Sequence, residues 1–176
     1  MATIYTIGHS TRDLADFSAA LQAHHIATLV DIRAFPMSRR LPHFNRERLE
    51  MWLPEVGTEY VWMKELGGRR KKILKDSPNI ALRSDSFRNY ADYMLTQEFQ
   101  SAAAKLVALA EKGHTSIMCA ERVWFQCHRM MVSDYLVANG HTVLHIDDEK
   151  PPKPHKLMAE ARIIDGQLIY RGDRLL

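Results

Sequence analysis

Between residues 119 and 129 the chain reads Cys-Ala-Glu-Arg-Val-Trp-Phe-Gln-Cys-His-Arg. Thiols, an imidazole, a carboxylate and guanidinium groups crowd into this one stretch. Together such groups suit nucleophilic or acid–base chemistry. Cys127-His128-Arg129 is expected to open a helix, where free backbone N–H groups and the dipole favour anions. The same field lowers the pKa of a neighbouring thiol, so Cys127 is expected to be the more reactive cysteine. Cys119 follows Ile117 and Met118 and reads equally well as plain core, where free cysteines often lie. Arg129 offers a planar fork of donors for phosphate or carboxylate.

Other reactive residues follow other apolar runs. Gly8-His9-Ser10 follows Thr3–Ile7, Asp31-Ile32-Arg33 closes a second run, and His145 and Asp147 close a third. Each also has a structural reading. His9 could cap the next helix, Asp31 and Arg33 could pair within their loop, and His145 could be a half-exposed strand end. Trp124 and Phe125 could cover Cys127 and leave it inert. Several named chemistries fail on spacing. A Cys-x5-Arg loop would need Arg where Phe125 and Ser133 stand. Cys-x-x-Cys, Walker A, G-x-G-x-x-G and His-Glu-x-x-His patterns are all absent. Cys119, Cys127 and His128 are zinc-ligand types, but the gap between the cysteines is not a usual zinc spacing, so no metal ligand is assigned.

The elements that must position these residues are legible as alternation. Thr3–Ile7 reads as a strand, and Leu14, Phe17 and Leu21 mark one face of a helix after it, with Ser10 and Asp13 resembling a capping box. Residues 27–32 read as a second strand, which completes a βαβ unit. Residues 33–44, with Pro36 and Pro42, read as a loop. Asn45 is expected to cap a short helix carrying Leu49, Trp52 and Leu53, stopped by Pro54. Residues 59–63 read as a third strand. The basic segment Gly67 to Ser84, with Arg69 to Lys72, reads as a surface loop. Helices are expected over 87–95 and 99–112, strands over 115–119 and 142–146, and a helix around Met131 and Leu136 that closes at Gly140. Asp165-Gly166 between two apolar runs predicts a type I′ hairpin. The sum is one α/β domain over residues 1–176: a mostly parallel, Rossmann-like three-layer sheet with a C-terminal β-hairpin. In such sheets ligands bind beyond the carboxyl ends of the strands, where these reactive residues fall.

Bulk properties narrow the class. Hydrophobic residues make up 46% and charged residues 26% of the 176, which excludes a disordered chain. No apolar stretch is long enough to span a bilayer. The N-terminus lacks the basic start and apolar run of a signal peptide, and the two cysteines are too few for a secreted scaffold, so the cytoplasm is the expected compartment. A net charge of +3 and a pI near 8.9 permit a phosphate or nucleic-acid partner without demanding one.

Taken together, several segments resemble the DUF488 family, a bacterial and archaeal group of unknown function. They are Thr6-Ile7-Gly8-His9-Ser10, Asp31-Ile32-Arg33 with Pro36 and Ser38, Pro42-His43-Phe44-Asn45, and Glu65-Leu66-Gly67-Gly68-Arg69. Phe87 to Met94 and the block from Cys119-Ala120-Glu121 to Cys127-His128-Arg129 complete the set. The resemblance covers almost the whole chain and implies an α/β fold in a compact prokaryotic protein, without a reaction. Two departures stand out. Family members commonly carry a more polar, Asp-Pro-like stretch where this chain has Arg122 to Gln126, and Trp-Arg where it has Leu82-Arg83.

The first expectation for function is an enzyme acting on a small anionic or phosphorylated, nucleotide-like substrate. Cys127 or Cys119 would be the nucleophile, with His9, His128 and Glu121 in acid–base roles. Ser10, Asp31, Arg33, Arg69 and Arg129 would bind the anion. A second expectation is a nucleic-acid binder using the basic 67–72 loop with Arg83, Arg88, Tyr90 and Tyr93. A third is a metal- or redox-sensing module built on the two thiols. No cofactor, membrane partner or oligomeric state is assigned.

Overall fold

Five apolar runs pair side by side in parallel in the computed structural model, which describes residues 1–172. The strands are β1 (Thr3–Gly8), β2 (Thr28–Asp31), β3 (Glu59–Trp62), β4 (Thr115–Cys119) and β5 (Thr142–His145); the two-residue β6 (Lys153–Pro154) adds an antiparallel edge. Their order across the sheet is β3-β2-β4-β1-β5-β6. β2 and β4 are buried along their whole length, as expected of parallel strands covered on both faces.

Period-two alternation sorts the side chains into two layers. Ile4, Val30, Ile117 and Val143 join one cluster, under α3 (Asp85–Tyr93), α4 (Gln97–Lys112) and α5 (Arg129–Ala138). Ile7, Leu29 and Met118 join the other, under α1 (Leu14–Ala23) and α2 (Arg46–Trp52). The C-terminal hairpin forms as expected, β7 (Ala161–Ile164) against β8 (Gln167–Tyr170), with positive φ at both Asp165 and Gly166.

Several local expectations shift. Asp13 alone caps α1, accepting from Asp16 N at 2.8 Å, while Ser10 takes a left-handed conformation in the turn before it. Asn45 occupies the cap position of α2, but its side chain accepts from Ser38 N at 2.6 Å and so ties down the 33–45 loop. α3 starts two residues before the expected point because Ser84 caps it. The basic loop is not all surface: Asn79 is fully buried and bonded to Asp92 and Tyr170.

The order of strands fixes where a site can form. β4 enters between β1 and β2. The chain leaves β1 for α1 on one face and β4 for α5 on the other, so the carboxyl ends of β1 and β4 flank a topological switch point. The two loops there touch: His9 N donates to Cys119 O and Ser10 N to Ala120 O, both at 2.9 Å. The approach is so close that a β-carbon at Gly8 would fall on the Glu121 carbonyl oxygen. Gly8→Ala is therefore expected to lower the unfolding free energy by about 2–3 kcal/mol, read from urea denaturation. An unchanged midpoint would contradict this contact.

Candidate functional site

A cleft of about 900 Å³ opens over the ends of β1, β2 and β4. His9, Ser10, Arg33 and Arg69 line one part of it. Cys119, Glu121, Cys127 and His128 line another. Asp31 and Arg129, the remaining residues expected at a site, lie buried behind its walls.

The two thiols meet, with their sulfur atoms 2.9 Å apart and both cysteines free. Burial pushes the Cys119 thiol well above the ordinary range, so it keeps its proton and donates to Cys127. That hydrogen bond is the largest cause that lowers Cys127 to about 6, with Arg129 adding to it and burial opposing it. Cys127 also sits at the start of α5 and accepts from Arg129 N at 3.4 Å, one of the helix's otherwise unpaired first-turn donors. The guanidinium Nε of Arg129 reaches the same sulfur at 3.4 Å.

The rest of the Arg129 fork faces protein. NH1 donates to Thr6 Oγ1 at 3.3 Å, and NH2 donates to Glu121 O at 2.6 Å and Arg122 O at 3.0 Å. With 1% of its surface exposed, Arg129 braces the 119–129 loop and supports the sulfur instead of clamping a ligand. Asp31 is likewise a brace. It takes a two-pronged contact from Arg33 at 2.9 and 2.7 Å and a hydrogen bond from Tyr60 at 2.6 Å. Arg33 also donates to Phe44 O at 2.7 Å, which leaves NH1 beside His9 Nε2 at 3.4 Å.

Both candidate histidines are held neutral. His9 Nδ1 faces the Ser10 carbonyl at 2.9 Å and must donate to it, so Nε2 carries the lone pair. Burial pulls its pKa to about 4, and the ring stacks on Phe44. His128 Nε2 donates to Ile32 O at 2.9 Å, and burial also brings it to about 4. Its ring packs so closely on Gly68 that a β-carbon there would collide with it.

The rim is basic and partly apolar. Arg40 and Arg122 join the lining, and Arg122 pairs with Asp147 at 3.0 Å. Arg69 is exposed and lies over the 66%-exposed Phe35, its guanidinium carbon 5.3 Å from the ring. Glu121 stands exposed at the mouth. Tyr90 and Tyr93, expected as stacking surfaces for nucleic acid, are buried and donate to Leu66 O and Glu65 O. The Trp124 ring stacks on His145 at 4.4 Å, and Cys127 itself is buried, with 8% of its surface exposed. Among the described residues, no group of three or more His, Cys, Asp or Glu is arranged to hold a metal ion, and no helix is long and apolar enough to cross a membrane.

Sequence reasoning missed Tyr60 and Thr6, the partners of Asp31 and Arg129. Neither carries a spacing signal, because each acts across strands that the sequence does not order.

A profile described as "Domain of unknown function DUF488" matches residues 13–136, well over half of the chain. The chain belongs to this family. The matched span holds Asp31, Arg33, Arg69 and both cysteines, and it stops short of His9 and of the C-terminal hairpin. No curated protein and no solved structure matches the chain.

In this DUF488 chain the buried neutral histidines make stability pH-dependent. His9 and His128 fall from 6.5 to about 4 on folding. Between those values the unfolded chain binds more protons, so stability falls as pH drops through that window. Urea midpoints are expected to decline from pH 6.5 to pH 4. A flat profile there would contradict the neutral assignment.

Proposed function

We propose that the protein is a cysteine-dependent hydrolase or transferase acting on a small anionic or phosphorylated, nucleotide-like substrate. The observation that carries this reading is the 2.9 Å contact between Cys119 and Cys127 beside the buried Arg129. It favours a thiolate within an open cleft at the switch point of the sheet, and the thiolate is the nucleophilic form of cysteine. Cys127 Sγ forms a bond to an electrophilic carbon or phosphorus atom of the substrate. The bond from that atom to the leaving group breaks, and water supplies the leaving group with a proton. His9 Nε2 then takes a proton from the water or acceptor hydroxyl that displaces the sulfur, and the thiolate is restored. Arg33, Arg40, Arg69 and Arg122 supply the positive lining that draws an anion in.

The same thiol contact favours a second reading, a thiol redox module. There a peroxide takes two electrons and two protons from the pair, is reduced to water and an alcohol, and leaves a Cys119–Cys127 disulfide. Thiol counting after peroxide treatment tests it, with loss of both thiols from an otherwise unmodified chain as its signature.

For the enzyme reading, iodoacetamide at pH 6 is expected to label Cys127 roughly tenfold faster than it labels glutathione. Cys119→Ala deletes the donor and slows labelling severalfold, while Cys119→Ser keeps a donor and preserves the rate. Inorganic pyrophosphate in the cleft protects. Equal labelling of wild type and Cys119→Ala, with no protection by pyrophosphate, would remove the basis for the reading.

A further inference from the structure

Behind the cleft, a line of buried polar side chains runs from the sheet centre to the C-terminal hairpin. Its far end is Asp134, in the second turn of α5 and fully buried. The Asp134 carboxylate accepts from Tyr170 Oη at 2.9 Å and from Met158 N at 3.1 Å. It also faces His155 Nε2 at 2.7 Å, and an ionised carboxylate can only accept, so Nε2 carries the proton. His155 Nδ1 is then bare and accepts from His145 Nε2 at 2.8 Å. His145 Nδ1 is bare in turn and accepts from the Thr6 hydroxyl at 2.6 Å. Thr6 Oγ1 accepts from Arg129 NH1, whose Nε reaches Cys127.

Every link is directed the same way, because each donor fixes the tautomer of the next ring. Arg129 is thereby joined to Asp134 through Thr6, His145 and His155. Thr6, Arg129, Asp134, His145 and His155 are all buried. The guanidinium of Arg129 thus has the Cys127 sulfur on one side and, through this line, the Asp134 carboxylate on the other. Trp124, from the cysteine loop, closes the line by stacking on His145 and meeting His155 edge-on.

We infer that Asp134 and His155 are positioning residues for Cys127, acting through His145, Thr6 and Arg129 to hold the guanidinium against the sulfur. The inference rests on the reading of Cys127 as an activated thiol. The charged and titratable groups that face this line are Arg129, Asp134, His145, His155 and Tyr170. Cys119 faces the sulfur, and Arg12, after β1, adds positive charge near Arg129.

The test is the pH profile of Cys127 alkylation by iodoacetamide in the full chain. Thr6→Val removes the hydroxyl at nearly constant volume and leaves both thiols in place; Thr6→Ser restores it. Asp134→Asn removes the terminal charge. Thr6→Val and Asp134→Asn are each expected to raise the midpoint by about one pH unit, a tenfold loss of thiolate below it. Thr6→Ser should match wild type, and the Thr6→Val/Asp134→Asn double variant should shift no further than either alone. Should Asp134→Asn fail to fold, the Thr6 pair carries the test. A low wild-type midpoint that both variants leave in place, whatever their melting temperatures, overturns the relay alone. A wild-type midpoint in the ordinary thiol range overturns the activated-thiol reading and the relay with it.

Discussion

The buried guanidinium of Arg129 is the constraint on which the site depends. It binds the carbonyls of Glu121 and Arg122, the hydroxyl of Thr6 and the sulfur of Cys127 from one position. Those contacts join the loop after β4, the interior of β1 and the start of α5. Gly8 permits the same loop to settle against β1. Remove the guanidinium and the loop loses its brace, the thiol its charge partner and the sheet interior its polar balance together. The planar fork matters here, since a lysine ammonium is a point charge and could not serve these directions at once.

The site keeps its charges in fixed pairs and its histidines neutral. Asp31 balances Arg33 at one strand end, and Arg129 stands beside Cys127 at another. His9 and His128 each donate a ring N–H to a backbone carbonyl. Neutral rings leave the positive potential of the cleft to the arginines. The thiols divide in the same way. Burial disfavours ionisation of Cys119, and a protonated Cys119 is the donor that Cys127 needs.

Much of this was legible in the sequence where one residue type settles the matter. Apolar alternation located the five parallel strands, and Asp165-Gly166 fixed the hairpin turn. The rule that ligands meet strand ends brought His9, Arg33 and the cysteines to one edge, and they do share a cleft. What stayed hidden was direction. Asp31 and Arg129 read as ligand contacts because charge at a strand end looks the same whether it faces water or protein. Only the strand order, with β4 between β1 and β2, shows that Arg129 points inward to Thr6. Asp134, His155 and Tyr170 lie far apart in sequence, and no local pattern links them. The one trace was polar Ser133 and Asp134 inside a helix buried on most sides.

The central claim is that one sulfur of the pair is ionised near neutral pH while the other holds its proton. Ultraviolet absorbance of thiolate, followed as the folded protein is titrated upward, measures this directly. One thiolate per chain is expected to appear with a midpoint near 6, and the second only above the ordinary thiol range. Two thiols titrating together near the ordinary value of about 8.5 would contradict it.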